Sequence, residues 1–79
     1  MEVIILGSRS NDCLELKRRV ITALDELGVD SNVYIEEDAG KILSYEVETP
    51  PAVLFNDKIL IEGIVPSIND LKDLISNEL

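Results

Sequence analysis

The sequence lacks histidine and tryptophan, and it has a single cysteine, Cys13, among 79 residues. Without histidine, His-containing zinc sites and a histidine general base are both excluded. One cysteine cannot form a disulfide within the chain, which excludes a small secreted scaffold held together by disulfides. We therefore expect no metal and no cofactor, and a fold that depends on its hydrophobic core.

Basic residues are scarce as well. Seven Lys and Arg stand against sixteen Asp and Glu, so the formal net charge is −9. This charge argues against nucleic acid and anionic membranes as partners, because both require a basic surface. No apolar run approaches the roughly 18 residues of a membrane span, and the opening "MEVIIL" is too short and too acidic for a signal peptide. The sequence therefore predicts a cytoplasmic protein.

The first half of the sequence predicts a strand, a helix, a second strand and a short helix. Residues 3–6 are continuously apolar, as is typical of a strand buried on both faces. A helical period runs from about residue 11 to residue 27, with Cys13 on its apolar stripe, and Gly28 is a natural helix terminator. A second strand is indicated by the alternating residues of "SNVYIEED", followed by a short helix over about residues 39–45.

The second half of the sequence predicts a β-hairpin and a last helix. Pro50 and Pro51 exclude a helix, so "ETPP" is extended or turned. The runs "AVLF" and "KILIEG" predict two strands joined by Asn56-Asp57, and Ser67 predicts the start of a last helix. We expect one domain over residues 1–79, with the order β-α-β-α-β-β-α. A right-handed parallel crossover and a hairpin then give a four-stranded mixed sheet with helices on both faces.

This order, with a thiol where the first strand meets the first helix, resembles the thioredoxin fold. More narrowly, the chain is similar to the small glutaredoxin-like, redox-active disulfide proteins of archaea and bacteria. Their pattern is an apolar strand, G-x-G-C-x-x-C opening a helix that ends in Leu-Gly, T-P-A or T-P-P-A, a hairpin, and G-x-V-P-S. The chain matches that pattern over almost its whole length, at "VIILG", "ELG", "TPPAVLFND", "EGIVPS" and "LKDLI".

The resemblance aligns Ser10 with the first cysteine of C-x-x-C and Cys13 with the second. In such motifs the first thiol attacks the substrate disulfide and the second resolves the mixed disulfide. The resemblance thus implies a degenerate S-x-x-C site. Taken alone, Ser10 is a good helix N-cap, and a cysteine on a core-facing stripe is usually inert. Asp12 would oppose formation of a neighbouring thiolate.

The resemblance also implies a peptide-binding groove formed by Thr49, Pro50, Pro51 and Gly63, with Pro51 as the cis proline opposite the active site. Pro50 has no N–H and can offer a bound peptide only its carbonyl. Two further residues depart from the family pattern, since Arg9 and Glu46 each stand where relatives commonly have glycine. Glu46 therefore predicts an altered end of the second helix.

Leu14 and Ile21 lie off the main stripe of the first helix. A wide apolar face that packs against the last helix explains them most simply, and a partner or dimer patch is the alternative.

Three functions fit the sequence. The first is a monomeric, non-catalytic module that binds a protein or peptide, including one that carries a thiol or disulfide. The second is a redox role through Cys13 alone, by glutathionylation or a mixed disulfide. In the third, Ser10 is an engineered replacement of a natural cysteine, and the native protein is a thiol-disulfide oxidoreductase.

Overall fold

The computed structural model describes residues 2–8 and 10–79. Within them the element order is the one that the sequence predicts. The elements are β1 (Glu2–Leu6), α1 (Asn11–Leu27), β2 (Asn32–Glu36), α2 (Ala39–Ser44), β3 (Ala52–Phe55), β4 (Lys58–Glu62) and α3 (Ile68–Ser76). None of the helices in this part of the chain is long and apolar enough to cross a membrane.

The four strands form one mixed sheet in the order β2-β1-β3-β4. Strands β1 and β2 are parallel, whereas β3 runs antiparallel to both β1 and β4. The β3–β4 turn is Asn56-Asp57, and both residues have a positive φ, of 50° and 65°. This pair of positive φ angles suits the right-handed twist of a tight hairpin, so the predicted two-residue turn is confirmed.

Apolar residues cover both faces of the sheet. On one face, alternate residues of β1 and β3 pack against α1 and α3, in a cluster that includes Leu16, Val20, Leu71 and Ile75. On the other face, a smaller cluster joins Ile42 of α2 to the remaining inward residues of β1 and β3. All four residues of β3 are buried, as expected for an inner strand covered on both sides.

Side chains and a glycine cap the two longer helices as the sequence predicts. Ser10 precedes α1 in an extended conformation, and its hydroxyl accepts a hydrogen bond from the backbone N–H of Cys13. Gly28 ends that helix in the left-handed conformation. Ser67 caps α3 in the same manner by accepting from the N–H of Asp70. These contacts satisfy backbone groups that a helix end leaves unpaired.

Leu14 and Ile21 are exposed on α1, at 45% and 39% of their full surface. The expectation that they belong to a wide buried face is therefore wrong. The buried residues of α1 are restricted to the main stripe that includes Cys13, Leu16 and Val20.

Glu46 ends the second helical segment with a φ of 62°. Its N–H donates to the carbonyl of Leu43, one turn back. The altered helix end expected from the sequence is thus a left-handed backbone conformation at Glu46, a residue with a side chain, where glycine would adopt the same conformation without strain.

Replacing Glu46 by glycine should stabilise the fold. A non-glycine residue in this conformation costs about 1–2 kcal/mol, of which the greater flexibility of unfolded glycine offsets roughly half. We expect Glu46→Gly to raise the free energy of unfolding in urea by about 0.5–1 kcal/mol. Glu46→Ala removes the same charge but keeps Cβ, and equal stability of the two variants would contradict this explanation.

Candidate functional site

A cleft of about 120 Å³ lies where β1, the start of α1 and the loop before β3 meet. It brings Ser10 and Cys13 together with Pro50 and Pro51, as the sequence-based alignment implied. Thr49 and Gly63 lie beside the cleft and not in its lining. The lining residues are Gly7, Ser8, Ser10, Asp12, Cys13, Pro50 and Pro51.

Ser10 lies at the rim of the cleft, where its exposed side chain caps α1. Its Oγ accepts the Cys13 N–H at 3.3 Å. A serine nucleophile requires a nearby base to take its proton, and the sequence has no histidine. The geometry therefore accounts for Ser10 as a capping residue.

The Cys13 side chain is only 1% exposed and belongs to the core cluster beneath α1. Burial raises the pKa of its thiol above the usual value for cysteine, and the negative charges of Asp12 and Glu37 raise the pKa further. The thiolate is the reactive form of cysteine, so both effects make this thiol a poor nucleophile.

The Cys13 sulfur reaches the cleft floor because residue 7 is glycine. A Cβ added at Gly7 would lie 2.8 Å from Cys13 Sγ, and the φ of Gly7 is 151°. Its N–H also donates to the carbonyl of Glu36, which ties the end of β1 to β2. A side chain at position 7 would force the sulfur, and with it the first turn of α1, away from the sheet.

Across the cleft, the Pro50–Pro51 peptide bond is cis. The carbonyl of Pro51 accepts a 2.8 Å hydrogen bond from the N–H of Gly63, at the end of β4. Gly63 itself has a φ of 78°, and a Cβ there would lie 3.1 Å from the Thr49 methyl group. Gly63 therefore allows the loop to pack closely against β4.

Glu62 is a site residue that the sequence reasoning missed. Its Oε2 accepts hydrogen bonds from the backbone N–H groups of Glu48, at 2.7 Å, and Thr49, at 3.0 Å. One carboxylate oxygen thus holds the segment that leads into the two prolines. The hairpin register pairs Glu62 with Ala52, the first residue of β3. The predicted turn at Asn56-Asp57, which brings the end of β4 beside the start of β3, was the signal available in the sequence.

Arg9, the other residue that departs from the family pattern, lies outside the described residues. Over residues 2–8 and 10–79, no group of three or more cysteine, aspartate or glutamate side chains is placed to hold a metal ion.

Cys13 should resist alkylation in the native protein. We expect iodoacetamide to modify it at least about 100-fold more slowly at pH 7 than in denaturant, because reaction requires local opening. The native rate should keep rising with pH beyond the point at which an ordinary cysteine thiol is fully ionised, since the raised pKa delays thiolate formation. Mass spectrometry follows the reaction, with Ser76→Cys/Cys13→Ala as an exposed control. Modification of native Cys13 at the control's rate would show an accessible thiol.

Removing the Glu62 carboxylate should loosen the loop. We expect Glu62→Ala to lower the free energy of unfolding by about 1–2 kcal/mol, because two charge-assisted hydrogen bonds are lost, and Glu62→Gln to lower it less. Hydrogen exchange at the Glu48 and Thr49 amides should become faster. Glu48→Gln is the matched control, since it removes one charge from the same loop and keeps both bonds. Equal effects of Glu62→Ala and Glu48→Gln would contradict the proposed contact.

Comparison with known proteins identifies the family of the chain. A family model described as a thioredoxin domain matches residues 1–76. A thioredoxin of Methanocaldococcus jannaschii is 31% identical over 75 residues, which cover 95% of this chain and 86% of that protein. The element order, the mixed sheet and its helix-covered faces are those of the same fold. The chain belongs to the thioredoxin family.

Proposed function

We propose that this thioredoxin-family protein binds an extended segment of a protein or peptide without catalysing dithiol exchange. The binding site would comprise the Ser10–Cys13 turn, the Thr49–Ala52 loop and Gly63. The observation that carries the proposal is the burial of Cys13 behind a serine that caps the helix.

Thiol-disulfide exchange begins when an exposed thiolate attacks one sulfur of a disulfide. At the N-terminus of α1, the position at which the helix dipole favours such a thiolate, the chain has the hydroxyl of Ser10. We infer that Ser10 stands in place of the attacking cysteine and that Cys13 occupies the resolving position. A resolving thiol alone cannot start the cycle.

A redox role through Cys13 alone is the weaker candidate. Glutathionylation or a mixed disulfide requires the sulfur to approach another sulfur within bonding distance, whereas Cys13 is enclosed by the core. The raised pKa further lowers its thiolate fraction at neutral pH. If Ser10 replaces a natural cysteine, the same cleft would serve a dithiol oxidoreductase.

The loop across the cleft suits recognition of an extended backbone. Pro50 and Pro51 have no N–H, and the Pro51 carbonyl accepts from Gly63, so Pro50 would contribute its carbonyl to a bound chain. The anchoring of this loop by Glu62 and Gly63 means that little ordering would be needed on binding. We propose that the protein binds its partner as a monomer and in the cytoplasm.

Insulin reduction with dithiothreitol as reductant tests the absence of dithiol activity. We expect no turnover above the uncatalysed rate, because the attacking thiol is absent. Ser10→Cys should raise the rate at least about tenfold, since it supplies a thiol at the helix N-terminus with Cys13 behind it. Ser10→Ala should remain inactive. Turnover by the unaltered chain that disappears in Cys13→Ser would refute the proposal.

Titration of the ¹⁵N-labelled protein with carboxymethylated insulin B chain, an extended peptide with blocked thiols, tests the binding itself. We expect the amide signals of Ser10, Thr49 and Gly63 to shift together and to saturate. Absence of any shift at millimolar peptide would count against a peptide-binding cleft.

A further inference from the structure

A second, larger groove begins one residue beyond Gly63. It measures about 320 Å³ and is lined by Ile64, Pro66 and Leu74, with the carboxylates of Asp70 and Asp73 beside them. Ile64 is 60% exposed, which is unusual for an isoleucine next to a tightly held loop. The groove thus combines an apolar floor with two acids.

The walls of this groove are held in place by α1. The Nη1 of Arg19 donates to the carbonyls of Val65, at 3.3 Å, and Pro66, at 3.0 Å. Arg19 is itself fixed by Glu15, 2.7 Å away on the preceding turn of the helix. The segment that carries Ile64 is therefore held at both ends, by Gly63 directly after β4 and by these two carbonyls.

The two carboxylates of the groove have no basic partner among residues 2–8 and 10–79. In the part of the chain that the structure describes, neither Asp70 nor Asp73 forms an ion pair. The nearest base along α3, Lys72, points to Glu26 of α1, with Nζ and Oε1 3.0 Å apart. Two uncompensated acids beside an apolar surface complement a ligand that carries cationic and apolar side chains together.

We propose that this groove extends the peptide site and selects partner segments in which an apolar residue is followed by Lys or Arg. This inference rests on the proposed function, since the groove begins at Ile64, the residue after Gly63 of the proposed binding site. The apolar side chain would lie against Ile64, Pro66 and Leu74, and the basic groups would approach Asp70 and Asp73. Nucleic acid is disfavoured as an occupant because its phosphates would be repelled.

Two cysteine-free synthetic dodecapeptides test the preference, one with a central Leu-Lys-Lys and the other with Leu-Gln-Gln. The shifts of the amide signals of the ¹⁵N-labelled protein give both the affinity for each peptide and the residues at which it binds. At 50 mM salt we expect the lysine peptide to bind about tenfold more tightly, as two partly exposed ion pairs allow. The difference should shrink at 300 mM salt, because exposed charges are screened.

The variant Asp70→Asn/Asp73→Asn should remove the preference for lysine. Its matched control is Asp25→Asn/Asp30→Asn, which makes the same charge change at exposed positions outside the groove and should keep the preference. Asp70 lies in the first turn of α3, where its charge stabilises the helix, so its replacement could also affect the fold. Asp73→Asn alone leaves that turn unaltered, and we expect it to lower the preference for the lysine peptide about threefold.

The outcomes separate this inference from the proposed function. Equal affinities for the two peptides, with shifts at Thr49 and Gly63, would overturn the groove's selectivity and leave the cleft's function standing. Shifts at Ile64 and Leu74 without shifts at Thr49 would support the groove and count against the cleft. If the signals of the groove shift with protein concentration in the absence of peptide, the occupant is a second copy of the chain. That outcome would overturn the proposed peptide selectivity. No shift with either peptide would overturn both proposals.

Discussion

The packing of the Cys13 sulfur against Gly7 is the contact on which the site depends. It brings the first turn of α1 close to the end of β1, with only residues 7–10 between the strand and the helix. The same contact places the sulfur among Leu16 and Val20, where it behaves as part of the core. The exposed end of the helix is therefore occupied by Ser10, and the thiol lies beneath it.

The opposite wall of the cleft is held from β4. Glu62 and Gly63 are consecutive residues, and together they bind the backbone of Glu48, Thr49 and Pro51. The sheet thus supports one wall through β1 and the other through β4, with β3 between them. The two walls are fixed by separate sets of contacts, so the cleft has a definite width before any ligand binds.

Much of this architecture could be predicted from the sequence because it depends on local patterns. The change from a continuous apolar run to a helical period marked the junction at Gly7–Ser10, and the capping residues Ser10 and Ser67 were recognisable as such. The position of Cys13 on the buried stripe followed from the same period. These features depend on residues within one or two helical turns of each other.

The features that were missed depend on contacts between distant parts of the chain. Glu62 reaches Glu48 only through the hairpin register, including the irregularity between Val53 and Leu54. The groove beside Asp70 exists because Arg19 holds carbonyls that are 46 and 47 residues away. Leu14 was assigned to the packed face, although the other elements leave 45% of its surface exposed.

The order β2-β1-β3-β4 leaves β2 and β4 as the two edges of the sheet. Exposed edges invite pairing with strands of other molecules. Strand β4 carries Lys58 and Glu62 at its ends, and β2 has Asn32 and Glu36 at its own. Charged or polar ends, short strands and the irregular β3–β4 register all oppose intermolecular sheet growth. In a chain rich in Ile, Leu and Val, the two sheet edges are thus the places where short strands and polar ends count most against edge-to-edge pairing.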